Sequence, residues 1–147
     1  DAAVDLTGLT SAEQAQRIYR ADVAMMRSCD LVIANLTPFR GVSMDSGTAF
    51  EAGFMAALGR PVLGYTNCAE DYRARATRYR RSPPPVPDAD RPDAQVEDFG
   101  LTENLMIEIA IRDSGFEVER HAARPGEEMT DLTAFARCLA RARKSLL

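Results

Sequence analysis

Glu51 is the one charged residue in an otherwise apolar segment, Thr48 to Leu58 (TAFEAGFMAAL). A charge in such surroundings needs a reason. One reason is local: Thr48-Ala49-Phe50-Glu51 has the spacing of a capping box, in which the glutamate satisfies an amide at the start of its own helix. The other is chemical. Asp45, Ser46, Gly47 and Thr48 bring a second carboxylate, a glycine turn and hydroxyls to the same helix entrance. Two carboxylates six residues apart across a turn can converge on one substrate. Free amides and the positive end of the helix dipole would keep Glu51 ionised, as a nucleophile requires. A carboxylate so placed can attack the anomeric carbon of a sugar while a second acid protonates the leaving group. Asp22, in the apolar stripe of an earlier helix, suits the second role if it faces a pocket, because desolvation raises a carboxyl pKa. At the edge of that stripe it would simply be solvated.

Other chemistries are poorly supplied. The sole histidine, His121, lies in a polar stretch, and Cys29, Cys68 and Cys138 form no CxxC pair. Histidine-based triads, multi-histidine metal sites, zinc sites and a disulfide framework are therefore not expected, and the scattered cysteines fit a reducing cytoplasm. The net charge of -4 argues against nucleic-acid binding, which draws on clustered Lys and Arg. No run of about 18 apolar residues could form a membrane span, and no signal peptide is visible.

The elements that must position these residues can be read in order. At 147 residues, with 46% hydrophobic content, the chain is expected to form a single domain over 1-147 with an ordinary core. Thr10-Ser11-Ala12-Glu13 has capping-box spacing and predicts a helix from Ser11 to about Arg27, with Ala15, Ile18, Tyr19, Val23 and Met26 on its inner face. Leu31 to Leu36 is a nearly unbroken apolar run, which suits a strand covered on both faces and hence a parallel sheet. A loop with Gly41 and Gly47 leads to the helix from Thr48 to Leu58. Gly59 and Pro61 end it, and Val62 to Thr66 makes a second buried strand. In such strand–helix–strand units ligands bind beyond the carboxyl ends of the strands, where Ser43 to Glu51 lie.

Asn67 to Arg81 is polar, with arginines at 73, 75, 78, 80 and 81. It reads as a solvated helix or loop, with a phosphate-binding patch as the alternative. Five prolines between Arg81 and Asp93 predict a long loop or lid. A helix from about Asn104 to Ser114 carries Leu105, Met106, Ile109 and Ala110 on its apolar side. Phe116 to Glu128 is ambiguous, with room for a short strand. A last helix, Asp131 to Lys144, aligns Leu132, Phe135, Ala136, Leu139 and Arg143. Only two strong strands are evident, so an initial strand and helix are expected to be missing from this sequence.

Three segments in this order, YRADVAMMRSCDLVIANL, DSGTAFEAG and DFGLTENLMI, closely resemble the nucleoside 2-deoxyribosyltransferase family. The resemblance implies a doubly wound, flavodoxin-like α/β fold, a parallel sheet flanked by helices. It implies exchange of the base of a 2'-deoxynucleoside through a covalent deoxyribosyl-enzyme, without metal or cofactor. It places the nucleophile on Glu51, a base- or sugar-holding aspartate on Asp45, and proton exchange with the base on Asp22. Gly47 and Thr48 fall in the same substrate-binding motif. Asn104 matches an asparagine that reaches the sugar 5'-hydroxyl in a neighbouring subunit's site, so a homo-oligomer is implied. The family begins with a strand bearing an aromatic residue, usually Tyr, to which nothing here corresponds. Related readings of the same site are an N-glycoside hydrolase of deoxynucleoside 5'-monophosphates and a nucleotide-sensing module in which Glu51 only caps its helix.

Overall fold

A computed structural model describes residues 4–81 and 95–146. The proline-rich stretch expected to form a lid lies, beyond Arg81, outside the described residues. Contacts divide the chain into two compact units, Asp1–Asp30 and Leu31–Leu147.

The first unit is built on α1 (Ser11–Ser28). The predicted capping box forms: the Thr10 amide donates to Glu13 Oε2 at 2.8 Å, and the Glu13 amide donates back to Thr10 Oγ1 at 3.4 Å. Arg17 donates to the Asp5 carbonyl at 2.7 Å, tying the preceding loop to the helix. The expected inner face differs. Only Met26 is buried, while Ala15, Ile18 and Tyr19 are exposed, Tyr19 by 56%. Periodicity marks a face that can pack; it does not supply the partner that covers it.

The second unit is an α/β layer structure in which the described residues form one sheet of three parallel strands: β1 (Val32–Asn35), β2 (Val62–Thr66) and β3 (Glu119–Arg120). They lie in the order β1-β2-β3, with Val32 opposite Val62, Asn35 opposite Tyr65, and Tyr65 opposite Glu119. The central strand β2, VLGYT, is buried at all five positions, as a strand covered on both faces requires. The ambiguous stretch after Phe116 resolves into β3. Among the described residues four helices accompany the sheet: α2 (Ser46–Ala57), α3 (Tyr72–Arg80), α4 (Leu105–Asp113) and α5 (Thr133–Leu146).

Successive residues of β2 show how the sheet is covered. A Cβ at Gly64 would come within 2.5 Å of Ile111 Cδ1 of α4, whereas the Tyr65 ring meets Phe135 of α5 edge-on at 5.8 Å. Neighbouring strand residues point to opposite faces, so α4 and α5 cover different sides of the sheet. This is the α/β fold with helices on both faces that the sequence implied.

Two helices bury a different stripe from the one expected. In α4 Met106 is 71% exposed and Ile109 is also exposed, while Glu108 and Ile111 are buried. In α5 the buried positions are Ala134, Cys138 and Ala142, with Leu132 and Leu139 outside. Small residues let a helix lie close on a sheet, and the weight given to leucine concealed that choice. Nor is α3 simply solvated: Arg75 is buried.

Candidate functional site

The site is assembled by the loop from Leu36 to Met44 and the helix it feeds. Leu36 extends β1 by donating to the Tyr65 carbonyl at 2.7 Å, and Thr37 Oγ1 accepts from the Asn67 amide at 3.0 Å. The loop then closes on itself where the Phe39 amide donates to the Ser43 carbonyl at 2.9 Å. Arg40, at the tip, takes a left-handed backbone with φ of 55° and lays its guanidinium over the Phe39 ring. Met44 is buried and returns the chain to the core.

The helix begins at Ser46, two residues before the expected start at Thr48. Asp45 is the N-cap: its Oδ2 accepts from the Gly47 amide at 2.9 Å and from the Thr48 amide at 3.3 Å. Those amides, expected to be free, are engaged. Gly47 belongs to the first turn of α2 and not to a flexible turn. A Cβ there would stand 2.9 Å from Asp45 Oδ2, so a larger residue would press on the capping carboxylate. The earlier start also removes the capping-box account of Glu51. Position 51 is the sixth residue of α2, beyond the turn that Asp45 serves, and its side chain is half-buried.

Asp45 and Glu51 therefore do not face each other across a turn. They stand on one helix, separated by about 9 Å along its axis and about 120° around it. Asp22 lies in the first unit, half-buried at the middle of α1.

Asn104 is the N-cap of α4. Its Oδ1 accepts from the Met106 amide at 3.0 Å, and its Nδ2 donates to Glu97 Oε1 at 2.7 Å, while Glu97 Oε2 accepts from the Leu105 amide at 3.0 Å. The amide expected to reach a neighbouring copy is thus held in a defined orientation within its own chain.

Sequence reasoning missed the residue beside it. Glu103 is fully buried and accepts from Ser43 Oγ at 2.6 Å, from the Met44 amide at 3.0 Å and from the Asn104 amide at 2.9 Å. The buried Arg75 guanidinium stands 3.7 Å from it and donates to the carbonyls of Val42, Glu70 and Thr102. Glu108, also buried, accepts from the amide and hydroxyl of Thr102, both at 2.7 Å, and from Arg112 at 2.9 Å. The only signal for this network was the crowding of acids in LTENLMIE, where an ordinary helix start needs one.

A cavity of about 380 Å³ opens at the carboxyl ends of β1 and β2, among Thr37, Pro38, Cys68, Arg75, Arg78 and Tyr79. A larger one of about 690 Å³ lies between α3 and the segment from Glu97 to Glu103. Neither is lined by Asp45, Glu51 or Asn104. Among the described residues no group of three or more His, Cys, Asp or Glu side chains is arranged to hold a metal ion, and no helix is long and apolar enough to cross a membrane.

Comparison with known proteins gives concordant results. A solved structure of a 2-deoxyribosyltransferase from Leishmania mexicana is similar with a TM-score of 0.62 and 28% identity, over 90% of this chain and 70% of that one. An uncharacterized protein of Schizosaccharomyces pombe is 36% identical over 71% of this chain, which spans 56% of the yeast protein's length. The family model described as nucleoside 2-deoxyribosyltransferase matches residues 1–106, running through α1, the DSGTAFEAG turn and Asn104. With the fold, the acidic helix start and this match in agreement, the chain belongs to the nucleoside 2-deoxyribosyltransferase family.

Proposed function

We propose that the chain transfers 2-deoxyribose between nucleobases through a covalent ester on Glu51. A Glu51 carboxylate oxygen attacks C1' of a 2'-deoxynucleoside as the C1'–N bond breaks, and the Asp22 carboxyl gives its proton to the departing base. A nitrogen of the incoming base then attacks C1' and displaces the Glu51 carboxylate, while Asp22 recovers a proton. Two inversions give net retention. Asp45 holds base or sugar, Gly47 and Thr48 shape the substrate's seat at the helix start, and Asn104 serves a neighbouring subunit's sugar in a homo-oligomer. The chemistry requires no metal or cofactor, and the protein works in nucleotide salvage in the cytoplasm.

The observation that carries this reading is that Asp45 serves the first amides of α2. Capping the start of α2, the duty that the nucleotide-sensing alternative gave Glu51, thus falls to Asp45. Substrates with a 5'-phosphate are a weaker fit. Of the five arginines offered for that group, Arg73 pairs with Asp98, Arg78 pairs with Glu70, and Arg75 is buried among carbonyls.

Incubation with 2'-deoxyinosine and adenine is expected to yield deoxyadenosine and hypoxanthine, and intact-protein mass spectrometry with 2'-deoxyinosine alone to show a deoxyribosyl adduct on Glu51. Glu51→Ala should lower exchange by at least about a thousandfold, as loss of a nucleophile does. Turnover with Glu51 unmodified would remove the covalent step. Release of adenine from dAMP, with no exchange from deoxyinosine, would give the role to the hydrolase.

A further inference from the structure

Glu103 binds no predicted substrate group, yet it is the point where two parts of the candidate site meet. One of its oxygens takes the Ser43 hydroxyl and the Asn104 amide, and the other takes the Met44 amide. Ser43 and Met44 are the last loop residues before Asp45, and Asn104 begins α4. Arg75 completes the arrangement from α3 by holding the Val42 carbonyl at 3.0 Å. Three consecutive residues, Val42 to Met44, are thus gripped by one buried ion pair immediately ahead of the helix that carries Glu51.

An ion pair of this kind is costly to bury and is a poor way to gain stability alone. What it supplies is direction: donors and acceptors with fixed angles set where the backbone lies, as apolar packing does not. Loop residues 38 to 43 have no sheet partner to fix them, so their path depends on such contacts.

We infer that Glu103 is a positioning residue that, with Arg75, sets the place of Asp45 at the start of α2. The kinetic part of this inference rests on the base-exchange reading; the structural part does not.

The full-length chain can test both through Glu103→Gln and Ser43→Ala. The second removes one hydroxyl and leaves the buried ion pair intact, so it carries the test if the first does not fold. In ¹H–¹⁵N spectra both variants are expected to move the amide signals of Gly47 and Thr48, which report the Asp45 cap, together with that of Met44. Perturbation confined to Met44 and Asn104 would overturn the inference. In the exchange assay Glu103→Gln should lower kcat/KM by about 10- to 100-fold, the size expected of a displacement near 1 Å. Placed on an Asp45→Asn background it should lower kcat/KM by less than about twofold further, because it acts through Asp45; losses that simply add would mean general destabilisation and defeat the claim. Should the wild-type chain exchange no bases at all, the proposed activity fails, and the amide signals still decide whether Glu103 positions Asp45.

Discussion

Asp45 stands in two roles that can be separated by substitution. As N-cap it satisfies two amides of α2, and in the proposed reaction it also holds the substrate. Asn caps about as well as Asp, whereas Ala leaves the amides unserved at a cost of about 1 kcal/mol. Asp45→Asn is therefore expected to keep the melting temperature while lowering kcat/KM, and Asp45→Ala to lower both. Equal activity of the Asn variant and the wild type, measured alongside thermal melts, would confine Asp45 to capping. At this scale the sequence draws the eye to the acids around α2, because a charge in an oily helix stands out. It did not reveal Glu103, Glu108 or Arg75. Arg75 lies in a segment that reads as solvated and the two glutamates lie at the start of a helix read for its apolar side, and only the fold brings donors to them from residues as far away as Ser43.

At the scale of elements, the two main strands, both capping residues of the first helix and the end of α2 at Gly59 were legible, since each depends on neighbours in sequence. Gly59 adopts φ of 68°, the left-handed turn its type permits. The start of α2 was misplaced because two overlapping cap signals, Asp45 and Thr48, compete within the seven residues DSGTAFE. The outer stripes of α4 and α5 were misread because what each helix buries is decided by the sheet. Gly64 shows the constraint from the sheet's side. A methyl there would meet Ile111 and Leu36, both fully buried and unable to retreat far. Gly64→Ala is expected to destabilise the fold by about 1–3 kcal/mol, read as a lower urea midpoint with unchanged slope. A stabilised variant would show that α4 can shift outward.

For the molecule as a whole, the family match from residue 1 to residue 106 crosses the boundary between the two units, so the likeness does not belong to either unit alone. The core of the larger unit contains one titratable group whose behaviour should be visible in global stability. Burial, and secondarily the Glu119 carboxylate, push the Cys138 thiol from 9.0 up to about 11. The unfolded chain ionises this thiol first, so its contribution is full below pH 9 and is lost as pH rises through about 11. Tyr65, raised mainly by burial, acts in the same direction at higher pH. Denaturation midpoints are expected to fall from pH 9 to pH 11 in the wild type and to fall less in Cys138→Ala; parallel curves would show that the thiol titrates alike in both states.

The cluster around Glu103, Glu108, Arg75 and Ser43 has a consequence for how such a chain can vary. Deleting either Glu103 or Arg75 strands a charge inside the protein, which is worse than never having buried it, while exchanging the two together for well-fitted oily residues can be neutral. Change in this region is therefore harsh one step at a time and lenient in concert. The stretch LTENLMIE is locked by mutual dependence more than by the strength of any bond it makes.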